Sequence, residues 1–213
     1  MIISIDYDWC IVTPTKCATN TLLKLLVKRW PKNRNQSEWN AFKPVAMEIR
    51  PKHKMNRIDI STLLERKAKI CVMTRHPFSR FVSMWHSSTK GVKHHSSAFG
   101  FLSEYKEFSD WTRVFFNVRK GNKHVPMDHI RWTTTISELI SPYQHLIESY
   151  DVGNIPAMLR YIGVEKPAEI PHEQITEKYT IKRATEKINL LPDYLNELVQ
   201  QWANKDKECF GYE

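Results

Sequence analysis

The sequence is poor in cysteine and glycine, and each shortage excludes a class of protein. Its four cysteines are scattered without a C-x-x-C pair: Cys10, Cys17, Cys71 and Cys209. Neither a zinc knuckle nor a disulfide framework is indicated, and a reducing compartment fits best. Only six glycines are present, and none precedes residue 91. The N-terminal third therefore lacks the glycine-rich loop of a P-loop nucleotidase, G-x-x-x-x-G-K-[ST].

Long apolar runs are also missing. No run of about 18 apolar residues occurs, so no segment is predicted to cross a membrane. The N-terminal stretch MIISIDYDWCIV contains Asp6 and Asp8, where a signal peptide needs a basic flank and an uninterrupted apolar centre. We therefore expect a soluble, cytoplasmic protein. With 213 residues and 41% hydrophobic content, residues 1–213 are expected to form a single domain.

The positive charge of the chain is concentrated in one region. The net charge is +9, and residues 16–57 contain 11 Lys or Arg against two acidic residues, Glu38 and Glu48, while the rest of the chain is balanced. Such a concentration favours an anionic partner near the N-terminal third, although a solvated basic face has the same composition.

The hydrophobic pattern alternates between strands and helices. A strand is predicted over 2–13 from IISIDYDWCIVT, and a helix over 19–30 from TNTLLKLLVKRW. A second cycle follows, with a helix predicted from DISTLLERK, a strand from KICVMT and a helix from PFSRFVSMWHSS. Three further helices are predicted from EFSDWTRVFFNV, NIPAMLRYIG and LPDYLNELVQQWANK. The order predicts an α/β protein: a P-loop-like three-layer fold with a short parallel sheet flanked by helices and a mainly helical C-terminal half.

The loop between the first predicted strand and helix has polar side chains in place of glycines. It reads TPTKCATNT over residues 13–21. The N-terminus of a helix attracts anions through its exposed N–H groups and its dipole. Lys16 can add an ammonium group, while Thr19, Asn20 and Thr21 can donate from their side chains. Ordinary helix capping is the alternative interpretation of these residues.

A second candidate site follows the strand KICVMT. The segment RHPFSRFVSMW begins with Arg75 at the end of that strand and has Pro77 at the helix start, and Arg80 and Ser83 lie three positions apart on one helical face. An arginine and a serine hydroxyl are suited to binding a phosphate. Taken alone, the segment also fits a surface arginine followed by an ordinary amphipathic helix.

Together the two segments resemble the sulfotransferase family, in particular its carbohydrate-sulfotransferase branch. In that branch the 5′-phosphosulfate loop reads approximately P-K-x-x-[ST]-[ST]-[ST] and the 3′-phosphate motif reads R-[DH]-P-x-x-R-x-x-S. Two later segments are also similar to the family: residues 128–164, and DKECFGYE at 206–213, which resembles a terminal Asp-x-x-x-Phe-Gly-Tyr. One departure is Thr15, which separates Pro14 from Lys16.

The resemblance implies a donor, a product and a set of binding residues. The donor would be 3′-phosphoadenosine 5′-phosphosulfate (PAPS), which carries about four negative charges, and the product adenosine 3′,5′-bisphosphate. The acceptor would be a hydroxyl, on a carbohydrate and, given the basic region, on an anionic glycan. No metal is expected, because Lys16 can neutralise charge on the leaving phosphate. The implied donor-binding residues are Lys16, Cys17, Ala18, Thr19, Asn20, Thr21, Arg75 and Ser83.

Catalysis by this family needs a base that takes the proton of the acceptor. The candidate is His53, 22 residues before Arg75 and near the position of a catalytic histidine in carbohydrate-type relatives. An ordinary histidine pKa of about 6.5 suits proton abstraction near neutral pH. Glu48 is the alternative, because other branches use a glutamate, and His53 also fits a solvated polar loop. His129 is a weaker candidate near the donor or acceptor.

Two other functions are compatible with parts of the sequence. A basic nucleic-acid-binding protein would account for the pI of about 9.4 and the seven tryptophans, but no recognition motif of that kind is present. A P-loop-type kinase would account for an anion loop between strand and helix, but the glycines and an evident magnesium-binding carboxylate are missing.

Overall fold

The structure is a computed structural model, and it describes residues 2–4, 8–26, 45–47, 60–89, 102, 104–120, 133–163 and 180–213. The chain divides into two compact units. The first comprises Met1–Thr74 and Pro142–Ile175, and the second comprises Arg75–Ser141 and Thr176–Glu213. The prediction of one domain over residues 1–213 stays a prediction.

The first unit is built on a five-stranded sheet. Its strands are β1 (Ile2–Ser4), β2 (Trp9–Val12), β3 (Val45–Met47), β4 (Lys69–Thr74) and β5 (Glu148–Asp151), in the spatial order β3-β1-β2-β4-β5. β2, β4 and β5 are parallel, whereas β1 runs antiparallel to both β2 and β3. The predicted short parallel sheet is therefore confirmed, and β1 and β3 extend it at one side through antiparallel pairing.

The prediction of one long strand over 2–13 is wrong. The segment forms two strands, β1 and β2, which pair antiparallel with Ile2 opposite Ile11. Asp6 and Asp8 interrupt the apolar run, and aspartate is a residue that favours turns over strand interiors. The main-chain oxygen of Asp8 accepts a hydrogen bond from the Lys69 N–H at 2.8 Å. This bond connects the residue before β2 to the first residue of β4.

Strand β4 occupies an interior position in the sheet, and strand β5 lies at its edge. Five of the six residues of β4 are buried, as expected for a strand that is covered on both faces. In β5 no residue is fully buried, and its sequence ESYD is polar. A short polar edge strand protects a sheet from pairing with other chains. Its composition also explains why no strand was predicted there.

Among the described residues, three α-helices belong to the first unit: α1 (Thr19–Leu26), α2 (Ile60–Glu65) and α6 (Ile155–Tyr161). Shortly after helix α2, Lys67 has a φ of +58°. The N–H groups of Lys67 and Ala68 donate to the carbonyls of Leu64 and Leu63, which is the Schellman arrangement that usually requires glycine. Helix α6 ends shortly before Gly163, which has a φ of +93°, as the sequence predicts. Asn154 precedes this helix, but its side chain makes no capping hydrogen bond.

In the described residues of the second unit, the regular elements are helices. They are α3 (Pro77–Thr89), α4 (Phe108–Arg119), α5 (Ile136–Ile140), α7 (Ile181–Asn189) and α8 (Asp193–Phe210). The predicted helices over α3, α4 and α8 are confirmed. Helices α5 and α7 were not predicted, although the capping box of Thr135 with Glu138 and the N-cap Thr180 are sequence signals for their starts.

The core of the second unit is aromatic. Phe81 of α3 lies at its centre, with ring centroids 5.3 Å from Trp111, 5.0 Å from Phe115 and 5.4 Å from Trp202. All four side chains are buried. Trp111 and Trp202 thus belong to the core, and the burial of large apolar surfaces fixes α3 against α4 and α8.

Candidate functional site

The loop after β2 contains backbone φ angles that are usual for glycine and rare for other residues. The Cys17 N–H donates to the Pro14 carbonyl at 3.0 Å and closes a β-turn. Its third residue, Lys16, has a φ of +67°, and Ala18 has a φ of +60°. Type II turns usually place glycine at that third position, since a side chain in this region costs about 1–2 kcal/mol. Thr15, the departure from the family motif, is the second residue of this turn.

The same loop leads directly into helix α1. Its first helical hydrogen bond runs from the Leu22 N–H to the Ala18 carbonyl at 2.9 Å. The N–H groups of residues 19–21 have no acceptor within the helix, as in any first turn, and no acidic residue occurs in that turn. The loop also starts at the carboxyl end of β2, where ligands bind in open parallel sheets. This backbone geometry suits an anion.

The side chains of the loop differ in their exposure. Leu22 is fully buried and Thr21 is 7% exposed, whereas Lys16 and Thr19 are half-buried. The Cys17 thiol is also buried, so Cys17 presents no side chain to a ligand, and its N–H is already bonded to Pro14. Lys16 and Thr19 are among the loop side chains that solvent reaches. For Asn20 the structure describes the backbone alone.

The second candidate segment forms the turn and first half of α3. His76 lies before this helix, and its Nδ1 accepts a hydrogen bond from the Phe78 N–H at 3.3 Å. Arg75, directly before it, is half-buried. Ser83 is 8% exposed, and its hydroxyl makes no hydrogen bond within the described part of the chain. A hydroxyl without a protein partner keeps its donor and acceptor capacity for a ligand oxygen.

Arg80, the other basic residue of the segment, is a core residue. It is 2% exposed, and its Nη2 donates to the Thr134 carbonyl at 2.9 Å. Its guanidinium carbon lies 5.3 Å from the centroid of the Trp202 ring, and its Nη1 pairs with Asp206 at 3.5 Å. Although Arg80 and Ser83 share a stretch of helix, the buried contacts of Arg80 give it a structural role.

Asp206 organises this buried cluster. It is fully buried, and its carboxylate accepts hydrogen bonds from the main-chain N–H groups of Ile136 and Ser137, at 3.0 and 2.8 Å, and from the Ser137 hydroxyl at 2.8 Å. The carboxylate therefore caps helix α5 while it neutralises Arg80. The sequence pattern pointed to Asp206 as the first residue of DKECFGYE, but gave no role for it.

A second carboxylate stabilises the same helix start from outside. Glu138 accepts hydrogen bonds from Arg119 and Lys205, each at 2.7 Å, and from the Thr135 N–H at 3.1 Å. Burial alone would raise its pKa, but these hydrogen bonds outweigh that effect and lower the pKa of Glu138 to about 2. The carboxylate stays charged over the physiological range, which suits a structural ion pair.

Several predicted residues lie outside the described part of the chain. They include both candidates for the base, His53 and Glu48, together with His129 and most of the basic region over 16–57. Among the described residues, no group of three or more His, Cys, Asp or Glu is arranged to hold a metal ion. Nor does any helix in the described ranges combine the length and apolar content needed to cross a bilayer.

Comparison with known proteins identifies the family of the chain. The model of the sulfotransferase family matches residues 9–213, which include the loop, the Arg75–Ser83 segment and the C-terminal DKECFGYE. No curated protein and no solved structure matches the chain. The match covers nearly the whole chain, and the parallel strands flanked by helices agree with it. The chain therefore belongs to the sulfotransferase family.

Proposed function

We propose that this sulfotransferase takes its sulfuryl group from PAPS and transfers it to a hydroxyl of an anionic carbohydrate. The observation that carries the donor assignment is the glycine-free loop, in which Lys16 and Ala18 adopt positive φ angles directly before helix α1. Strained backbone of this kind persists where the surroundings enforce it, and it is concentrated at ligand sites. Membership of the family favours this function over a P-loop-type kinase or a nucleic-acid-binding protein.

Two separate sets of residues suit the two charged ends of the donor by their chemistry. We assign the 5′-phosphosulfate to the loop, with the first-turn N–H groups of α1, the Thr19 hydroxyl and the Lys16 ammonium as donors. We assign the 3′-phosphate to Arg75 and to the Ser83 hydroxyl, which has no protein partner in the described residues. Cys17 shapes the loop through its buried thiol and its turn hydrogen bond, and Asn20 and Thr21 belong to the first turn of α1.

Bound PAPS supplies an activated sulfuryl group on a phosphate leaving group. Sulfuryl transfer resembles phosphoryl transfer, in which positioning and charge stabilisation account for most of the catalysis. Lys16 would hold its positive charge beside the phosphate oxygen on which negative charge grows. His53, or Glu48 in its place, would accept the proton of the acceptor hydroxyl. No metal ion is required by these roles.

Donor binding provides the test of this proposal. Arg75→Ala is expected to weaken the affinity for adenosine 3′,5′-bisphosphate by about 1.5–3 kcal/mol, because it removes a charged hydrogen bond, and Ser83→Ala by about 0.5–1.5 kcal/mol. Titration calorimetry measures both values, with ATP as the competing ligand. Arg113→Ala is the matched control, since Arg113 is exposed and pairs with Asp110 on α4. Unchanged affinity in a folded Arg75→Ala protein would rule out the assigned 3′-phosphate site.

The identity of the base is tested by pH profiles. If His53 accepts the proton, kcat/KM falls below a pKa in the histidine range, and His53→Ala removes that limb while donor binding persists. The basic residues around His53 in the sequence favour the neutral imidazole and move the limb to lower pH. An inactive Glu48→Gln enzyme together with an active His53→Ala enzyme would assign the base to Glu48.

The anionic acceptor is proposed from the charge distribution. The surplus of nine positive charges over residues 16–57 is larger than one donor with about four negative charges would balance. It extends through Arg50, Lys52, Lys54 and Arg57 beside the proposed base. Such a field steers anions and is screened beyond about 8 Å at physiological ionic strength. The acceptor KM is therefore expected to rise steeply with salt, while kcat changes less.

The Lys52→Ala/Lys54→Ala double variant is expected to flatten this salt dependence without changing donor affinity. Initial rates with a sulfated glycan and with its neutral counterpart, each measured over a range of salt concentrations, provide the comparison. A KM that is independent of salt, or a neutral glycan as the better acceptor, would contradict the anionic assignment and leave the donor assignment intact.

A further inference from the structure

Both ring nitrogens of His76 are engaged at the turn before α3. The side chain is 5% exposed, and Nδ1 accepts the Phe78 N–H. Because Nδ1 uses its lone pair in this way, the neutral ring carries its proton on Nε2. Nε2 lies 3.0 Å from the main-chain oxygen of Glu213, to which it can donate. One side chain thus connects the start of α3 to the segment after α8.

The segment after α8 packs closely on this turn. Gly211 has a φ of +69°, and the Tyr212 N–H returns to the Lys207 carbonyl at 3.1 Å, which reverses the chain at the end of the helix. The Tyr212 ring then meets the His76 ring edge-on, with centroids 5.5 Å apart. Lys207 also places its Nζ 4.8 Å from the centroid of the Phe78 ring.

These contacts fix the backbone that carries Arg75. We propose that Tyr212 and Glu213, acting through His76, position Arg75 for the 3′-phosphate; this inference rests on the proposed function. Arg75 precedes His76 in the chain, so a shift of the His76 backbone moves the Arg75 Cα with it. Binding groups must be held within about 0.5 Å to keep their hydrogen bonds. His76 and Tyr212 are positioning residues that do not themselves bind the donor.

Two variants of His76 separate its two hydrogen bonds. In His76→Asn the side-chain oxygen can replace Nδ1 as the helix cap, but the side chain is too short to reach Glu213. In His76→Gln the amide nitrogen can take the place of Nε2, while the cap is lost. Tyr212→Ala removes the ring contact and keeps the main-chain N–H of residue 212. Glu208→Ala, at an exposed position of α8, is the matched control.

The readouts are the Tm and the affinity for adenosine 3′,5′-bisphosphate. We expect His76→Asn to keep its Tm within about 2 °C and to bind about three- to tenfold more weakly. Tyr212→Ala is expected to weaken binding similarly. His76→Gln is expected to lose about 2–4 °C in Tm and to keep its affinity within about twofold. The control should match the wild type in both.

The failure of this inference can be told apart from the failure of the proposed function. If His76→Asn and Tyr212→Ala bind as tightly as the wild type, positioning by this segment is wrong and the donor site stands. If the loss of affinity for adenosine 3′,5′-bisphosphate is proportional to the loss in Tm across the variants, His76 has only a structural role and the inference is likewise overturned. If the wild-type protein itself does not bind adenosine 3′,5′-bisphosphate, the proposed function fails, and the inference with it.

Discussion

Lys16→Met is expected to lower kcat by about 100- to 1,000-fold while the donor affinity changes much less. The lysine is assigned to the phosphate oxygen on which charge develops as sulfate leaves, and removing a single donor to such a charge has effects of this size. Methionine keeps most of the bulk of the side chain. Steady-state kinetics with saturating acceptor, together with calorimetry of adenosine 3′,5′-bisphosphate, separate the two parameters.

The control for this variant must carry the same backbone strain. Lys67 also has a positive φ, +58°, but it lies after the end of helix α2 and not in the candidate loop. Lys67→Met therefore makes the same chemical change in the same backbone conformation, and it is expected to keep wild-type kcat. If Lys16→Met kept near-normal turnover and only raised KM, Lys16 would bind the donor without assisting the chemistry.

Asp206→Ala is expected to lower the free energy of unfolding by about 3–5 kcal/mol. The substitution leaves the Arg80 guanidinium buried without its carboxylate, and it removes the acceptor of the first N–H groups of α5. Breaking one side of a buried ion pair typically has this cost. Urea unfolding followed by circular dichroism measures it, and a midpoint change without a change in slope identifies a loss of stability.

Two further variants show whether the ion pair causes the loss. Glu208→Ala, on an exposed position of the same helix, should remain within about 0.5 kcal/mol of the wild type. The Arg80→Met/Asp206→Ala double variant should be less destabilised than the sum of the single variants by about 0.5–3 kcal/mol, because the lone buried charge is gone. Additive effects would mean that Arg80 and Asp206 do not interact.

Sequence patterns predicted the elements whose burial is uniform. Strand β4 matches its predicted range, because an interior parallel strand is apolar along its whole length, and α3 begins at its predicted proline. The edge strand β5 has no such signal. The positive φ angles of Lys16 and Ala18 were also unpredictable, since lysine and alanine do not favour that conformation.

Local sequence patterns predicted part of the candidate site. The loop was predicted because hydroxyl and lysine side chains at a helix start indicate anion binding, and Ser83 because it follows Arg80 by three positions on one helical face. The burial of Arg80 was not predicted, because arginine is ordinarily exposed and its partner lies far away in the sequence. No local sequence pattern indicates the role of Asp206, which is visible only in the tertiary structure.

The pairing of Arg80 with Asp206 also has a consequence for the order of folding during synthesis. The two residues are separated by 126 positions, so the carboxylate that neutralises Arg80 leaves the ribosome long after α3 has been made. Chains fold as they emerge, at about 5–20 residues per second, and contacts of high sequence separation form late. Helix α3 is therefore made several seconds before the carboxylate of Asp206 is available, and until then the charge of the Arg80 guanidinium disfavours its burial.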